Sequence, residues 1–207
     1  MSDTPKARLI LPDDLTRDDF RALARSGGWV QHKVYDTPGE NYEEVWANAD
    51  QTAALHYVED NTISRERFLT LRSDSVQARL PDLARTFRTV PISDLYQRIV
   101  YNKGEDLEQL IRALNQLGVV ASDMPRDVQV AWETGLFHPD EHVRLSTIRA
   151  MSYQGLPDVV PLLDEAVRED PSLEVQELAG DLIASIRRHN PDAWKDGFTF
   201  TSDRDAT

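Results

Sequence analysis

The chain contains no cysteine, which excludes disulfides, thiolate nucleophiles and cysteine-based zinc or iron–sulfur centres. It has no apolar run near the roughly 18 residues of a membrane-spanning helix. Glycine is scarce, at 9 of 207 residues, and no glycines fall in GxGxxG or GxxxxGK, so the loops that cradle phosphates in nucleotide-binding folds are missing. There is no GxSxG, no HExxH and no Ser–His–Asp arrangement that stands out. The opening MSDTPKARLILPDD has neither the basic start nor the apolar core of a secretory signal. These absences lead to the expectation of a cytoplasmic protein with no membrane association.

Positive charge is also in short supply. There are 23 lysines and arginines against 36 acidic residues, a formal net charge of -13. Such a field repels nucleic acid, so a nucleic-acid partner is not expected. The imbalance is lopsided. Residues 1–103 hold 14 basic and 16 acidic residues, whereas residues 104–207 hold 9 and 20. This split suggests a boundary near Lys103-Gly104, a near-neutral unit over 1–103, an acidic unit over 104–190 and a loose tail over 191–207. It directs electrostatic attraction in the second half toward a basic partner.

The first half reads as a small α+β unit. Residues 1–8 are polar and expected to fray, and Leu9-Ile10-Leu11 is a short apolar run. Thr16, with Asp19 three residues on, is an N-cap signal for a helix over 17–25 that buries Phe20, Leu23 and Ala24. Gly27-Gly28 stops it. Four strand-like segments follow, at 29–35, 42–47, 52–58 and 67–71. They are separated by the turn signals Asp36-Thr37-Pro38-Gly39, Asn48-Ala49-Asp50-Gln51 and Glu59-Asp60-Asn61, which gives an antiparallel meander. Helices are expected over 75–87, with Pro81 weakening it or marking its start, and over 91–100. Five of the six tyrosines lie in this half, beside Trp29 and Trp46. Aromatics in and beside strands fill a core or, where exposed, form a binding surface. Arg65, Arg67, Arg72, Arg79, Arg85 and Arg88 bring positive charge to the same region.

The second half reads as helical throughout. Leu107, Leu110, Ile111, Leu114 and Leu117 form one stripe on a helix over 105–117, with Gly118 as its stop. Further helices are expected from Pro125, over 141–152, over 158–168 and over 173–188. A degenerate repeat with an offset of 32 residues relates Pro125 to Pro157, Pro139 to Pro171 and Val143 to Val175. Asp140, Val143, Arg144, Ile148, Ala150 and Met151, then Gly155, Pro157, Val160, Pro161, Leu162 and Leu163, followed by Asp170, Val175, Gln176, Ala179 and Leu182, resemble the HEAT family. The resemblance includes its short bacterial variants related to the repeats of phycobilisome lyases. It covers roughly 105–188 and departs from the family at Gln176, where an arginine is usual. It implies an α-helical HEAT-like solenoid that binds other macromolecules along a concave ridge. The family's DNA-base-removing members use basic faces, unlike the acidic half here. Two to two-and-a-half repeats are near the minimum for a stable solenoid, so the first half is expected to cap it.

Candidate sites follow from charge and apolar anchors. Asp164, Glu165, Glu169, Asp170, Glu174 and Glu177 form an acidic patch around one repeat turn, which reads as a solvated face or as a surface for a basic partner, and Trp132 reads as a core residue or as an interface anchor. These seven are the expected partner-binding residues. His56, Tyr57 and Trp46 are the residues of a possible pocket. His138 and His142 flank Asp140 and Glu141, but Pro139 separates them and no metal site is expected. No catalytic residue and no cofactor can be named. The leading expectation is a noncatalytic protein-binding or regulatory module, in the manner of an inhibitor or immunity protein that binds a basic partner. An enzyme with a pocket at the junction of the halves and a structural or oligomerising subunit are the alternatives.

Overall fold

A computed structural model describes residues 5–102 and 106–190. The suggested boundary at Lys103-Gly104 and the tail after Asn190 lie outside the described residues. The order of elements is β1 (Lys6–Ile10), α1 (Arg17–Ser26), β2 (Val30–Tyr35), β3 (Tyr42–Ala47), β4 (Ala53–Glu59), β5 (Arg67–Ser73), α2 (Val76–Thr86), α3 (Ile92–Val100), α4 (Leu107–Val120), α5 (Arg126–Leu136), α6 (Glu141–Ser152), α7 (Val160–Glu169) and α8 (Leu173–His189). A single 3-10 turn, Pro157–Val159, leads into α7. The chain is an α+β protein with a five-stranded antiparallel sheet.

The sheet runs β1-β5-β4-β3-β2, so the expected meander is present with one more strand on its far edge. Lys6, Ala7 and Arg8, expected to fray, pair with Arg72, Leu71 and Thr70 of β5. A strand five residues long with two cations gives no local signal; its partner residues lie 58 to 66 positions further on, and the ladder rather than propensity fixes it.

Alternation decides the faces. On β3 and β4, Tyr42, Glu44, Trp46, Ala53, Leu55 and Tyr57 point to the side that α1 and α2 cover. Phe20 of α1 stacks on Tyr57 at 4.6 Å between ring centres and meets Trp46 edge-on at 5.7 Å. Thr16 and Asp19 close the expected capping box at the start of α1. Glu44 also points inward and is wholly buried, a position that normally excludes a charge. Its two oxygens accept from Tyr42 Oη at 2.7 Å, Trp46 Nε1 at 3.1 Å, Arg21 Nε at 2.9 Å and Gln31 Nε2 at 2.9 Å, so the carboxylate is fully satisfied. The alternation expected for β2 fails. All six of its residues are exposed, because it is the edge strand and its register slips between Gln31 and Lys33.

The helices pair as α3 with α4, α5 with α6 and α7 with α8. In addition, α4, α6 and α8 lie side by side, as do α3, α5 and α7. One core, from Ile99 of α3 to Ile186 of α8, runs through them. Packing therefore starts the helical layer at α3, ahead of residue 104. Pro81 sits inside α2 rather than at its start, on the exposed side. Gly118 does not stop α4, which continues to Val120. It is where α4 crosses α6: a Cβ on Gly118 would lie 2.3 Å from the Ala150 carbonyl oxygen.

The 32-residue offset reappears in hydrogen bonds. His138 Nδ1 accepts from the Asp140 N–H at 3.1 Å, and Asp170 Oδ1 accepts from the Ser172 N–H at 2.9 Å. The caps Asp140 and Ser172 accept from the N–H groups of Val143 and Val175. Arg144 Nη1 donates to the His138 carbonyl at 2.9 Å, and Gln176 Nε2 donates to the Asp170 carbonyl at 2.7 Å. The structural counterpart of Asp140 is thus Ser172, and that of Asp170 is His138.

Sheet and helices meet at Ile10, Phe68, Leu95, Val119 and Val120. A polar seam adjoins this contact. Arg112 of α4 bridges Asp13 and Glu66, the latter at 2.8 Å, and Gln116 donates to Glu66 at 2.9 Å. Among the described residues, no helix is long and apolar enough to cross a membrane.

Candidate functional site

The turns α5–α6 and α7–α8 enclose a cleft of about 340 Å³, lined by Leu136, Phe137, His138, Pro139, Arg144, Glu165, Ala166, Glu169, Asp170 and Pro171. Its floor is rigid for a local reason. Arg144 Nε and Nη2 donate to both oxygens of Asp170, at 2.8 and 3.0 Å, while Nη1 is held by the carbonyls of His138 and Pro139 at 2.9 Å each. Both charged side chains are almost wholly buried, at 8% and 5% exposure. A planar fork used on both sides ties two successive turns together. The wall is apolar, made by Leu136, Ala166, Pro139 and Pro171, and the rim carries Glu165, Glu169 and Phe137, the last 46% exposed.

Of the seven residues expected to meet a partner, three line this cleft: Glu165, Glu169 and Asp170. Asp170 is buried beneath Arg144 and belongs to the floor. Asp164 is half-buried on α7, 4.0 Å from Arg187. Glu174 and Glu177 are exposed on α8, outside the cleft lining. Trp132 is not a surface anchor: it is 2% exposed within the helical core, and its buried Nε1 has no partner. On α5 the indole sits on the same apolar stripe as Val128, Ala131 and Leu136, and burial claims the whole stripe. Phe137 is the cleft residue that the periodic reading passed over. It stands one position past α5, before His-Pro, where an apolar residue belongs to no stripe; that mismatch was its only signal.

The residues of the suggested pocket do not come together. Trp46 and Tyr57 are buried under α1, whereas His56 projects from the opposite face of β4. There His56 Nδ1 lies 2.5 Å from Glu43 Oε1 across the strand pair. This second face is covered along its Ile10–Phe68–Val58 row and in part along the next, where Thr70 is buried and Arg8 lies against Tyr153. The next two rows are Lys33–Val45–His56–Thr70–Arg8 and Val30–Ala47–Ala54–Arg72–Lys6. Most arginines of the first half are engaged locally: Arg67 with the carbonyls of Leu15 and Asp13, Arg85 with Asp82, Arg88 with Asp14 and Arg79 with Ser75. They do not line a common groove.

Several ionisable groups are shifted by the fold. Burial pushes Asp60 up, but the N–H groups of Ser64, Ile63 and Thr62 and the Ser64 hydroxyl outweigh it and hold the carboxyl well below its usual range. Hydrogen bonds from Arg17 lower Glu59. Burial raises the Tyr153 hydroxyl to about 12. Comparison with known proteins finds no matching family model, no matching curated protein and no matching solved structure.

Proposed function

We propose that this chain is a noncatalytic protein-binding module whose helical part is a short HEAT-like stack and whose acidic cleft takes a basic side chain of a protein partner. The cleft carries this reading. Its apolar wall suits the methylene stem of a lysine or arginine, while Glu165 and Glu169 at the rim suit the charged head. Phe137 adds an exposed aromatic of the kind that anchors interfaces. The floor needs no rearrangement on binding, because the Arg144–Asp170 fork already fixes it. Repetition of the same hydrogen bonds at 138–144 and 170–176, with helices paired in two rows, supports the HEAT-like assignment. In this reading the protein regulates or inhibits a basic partner, and immunity to a basic toxin is one such role.

Panning a displayed random-peptide library against the full chain tests this directly. Enriched peptides should carry a lysine or arginine beside an apolar residue. Glu165→Lys/Glu169→Lys should weaken their binding at least tenfold, and raising the salt should weaken it as well. Absence of enrichment, or peptides that bind the double variant equally well, rejects the proposal.

A further inference from the structure

We infer that the corner formed by Lys6, Arg8 and Arg72, at the margin of the covered part of the second sheet face, is a binding site for a small phosphate-bearing anion. The site lies on the sheet, away from the acidic cleft, and does not depend on the function proposed for it.

The strand register brings the three cations together. Lys6 stands directly opposite Arg72, and Arg8 stands opposite Thr70 one row on, so all three share one face of two adjacent strands. Like charges placed opposite each other across a strand pair repel. Acidic residues outnumber basic ones in this chain, 36 to 23, yet among the described residues none forms an ion pair with any of the three. Asp60 acts on Arg8 only through its longer-range field, and its oxygens are occupied by Thr62, Ile63 and Ser64.

Arg8 is the second, independent observation. Its guanidinium lies 5.0 Å from the ring centre of Tyr153 and 5.8 Å from that of Phe68. The rings enclose its Nε and Nη1, which have no hydrogen-bond partner, and leave Nη2 as the guanidinium nitrogen that faces outward. A guanidinium anchored on two rings, flanked by a lysine and a second arginine, gathers three positive charges at one corner, which suits a phosphate, with its near-double charge and three acceptor oxygens, better than a singly charged carboxylate. Ala54 and Ala47 continue the row beyond Arg72, so the neighbouring sheet surface is low and leaves room for the rest of a ligand. The size of the anion follows from the spread of charge. Lys33, also on this face, is four strands away, roughly 19 Å at 4.8 Å per strand, so the cluster suits one phosphate group rather than a polymer backbone.

The test is a titration of the full chain with inorganic phosphate at constant ionic strength, followed by backbone amide shifts, with acetate and a single-stranded oligonucleotide as parallel arms. Saturable shifts confined to β1, β5 and the neighbourhood of Tyr153 are expected with phosphate and not with acetate. Lys6→Glu/Arg72→Glu, both at exposed positions, should weaken phosphate binding at least tenfold while leaving the far-ultraviolet circular dichroism unchanged. Arg8→Lys, which keeps the charge and loses the guanidinium's anchorage on Tyr153 and Phe68, should weaken it severalfold. Unsaturable shifts, shifts spread over lysines and arginines elsewhere, equal binding of acetate, or full binding by the double variant would each overturn the inference. So would saturation of these residues by the oligonucleotide alone, which would assign the corner to a polymer.

Discussion

Asp60 shows how much a single buried carboxylate can organise. Its oxygens accept from three successive backbone N–H groups and two hydroxyls, so the loop from β4 to β5 is folded around one charge. Because its folded pKa is depressed, its contribution is complete above the ordinary carboxylate range of about 4 and is lost as pH falls toward the folded value. Glu59 and Asp13, lowered by Arg17 and Arg112, act in the same direction. Stability measured by urea unfolding should therefore decline as pH falls below about 4. Asp60→Asn should lower stability by about 2 kcal/mol at neutral pH, the scale of lost hydrogen bonds to a charged group, and should flatten the acid limb. An unchanged acid limb in the variant would show that other carboxylates govern it.

At the scale of elements, Gly118 sets two effects against each other. Alanine is favoured over glycine within a helix by about 1 kcal/mol. Here the added Cβ meets the Ala150 backbone, which cannot swing aside as a side chain could, and overpacking of this kind costs about 1–3 kcal/mol. Gly118→Ala should therefore destabilise the protein, by roughly 1–2 kcal/mol in urea unfolding, and a stabilised variant would show that α4 and α6 can move apart. The same residue marks the limit of what was legible from the chain alone. Strongly periodic elements declared themselves: β3 and α6 have the bounds their patterns implied. Gly118 and β1 did not, because a close helix crossing and a distant strand partner leave no local trace. In the cleft, charge disclosed Glu165 and Glu169 but could not separate them from Asp170, whose burial depends on an arginine 26 residues earlier. Phe137 and the inward-facing Glu44 were hidden for a related reason: each departs from the pattern of its own element and is explained only by its neighbours in space.

For the molecule as a whole, the seam at Arg112 joins sheet to helices beside the apolar contact of Ile10 and Phe68 with Val119 and Val120. That shared contact implies one cooperative unfolding transition, measurable by calorimetry. Arg112→Ala would leave Glu66 nearly buried with Gln116 as its remaining side-chain donor. Arg112 is itself about half-exposed, which reduces the cost to about 2 kcal/mol, less than that of breaking a fully buried pair. The melting temperature should fall by roughly 4–8 °C with the transition still single. Two resolved transitions would mean that the seam alone couples the halves.

Gln176 stands 32 residues after Arg144, and the difference between the two acquires a meaning from the bonds around them. Arg144 has two arms: one steadies its own turn, and the other reaches forward to the carboxylate of the following turn. Gln176, at the equivalent place, has only the first arm. The turn that Gln176 holds therefore lacks, among the described residues, a forward tie of the kind that Arg144 makes to Asp170. Lengthening the protein by another copy of the unit would thus require a longer donor at 176 as well as an acceptor in the added turn.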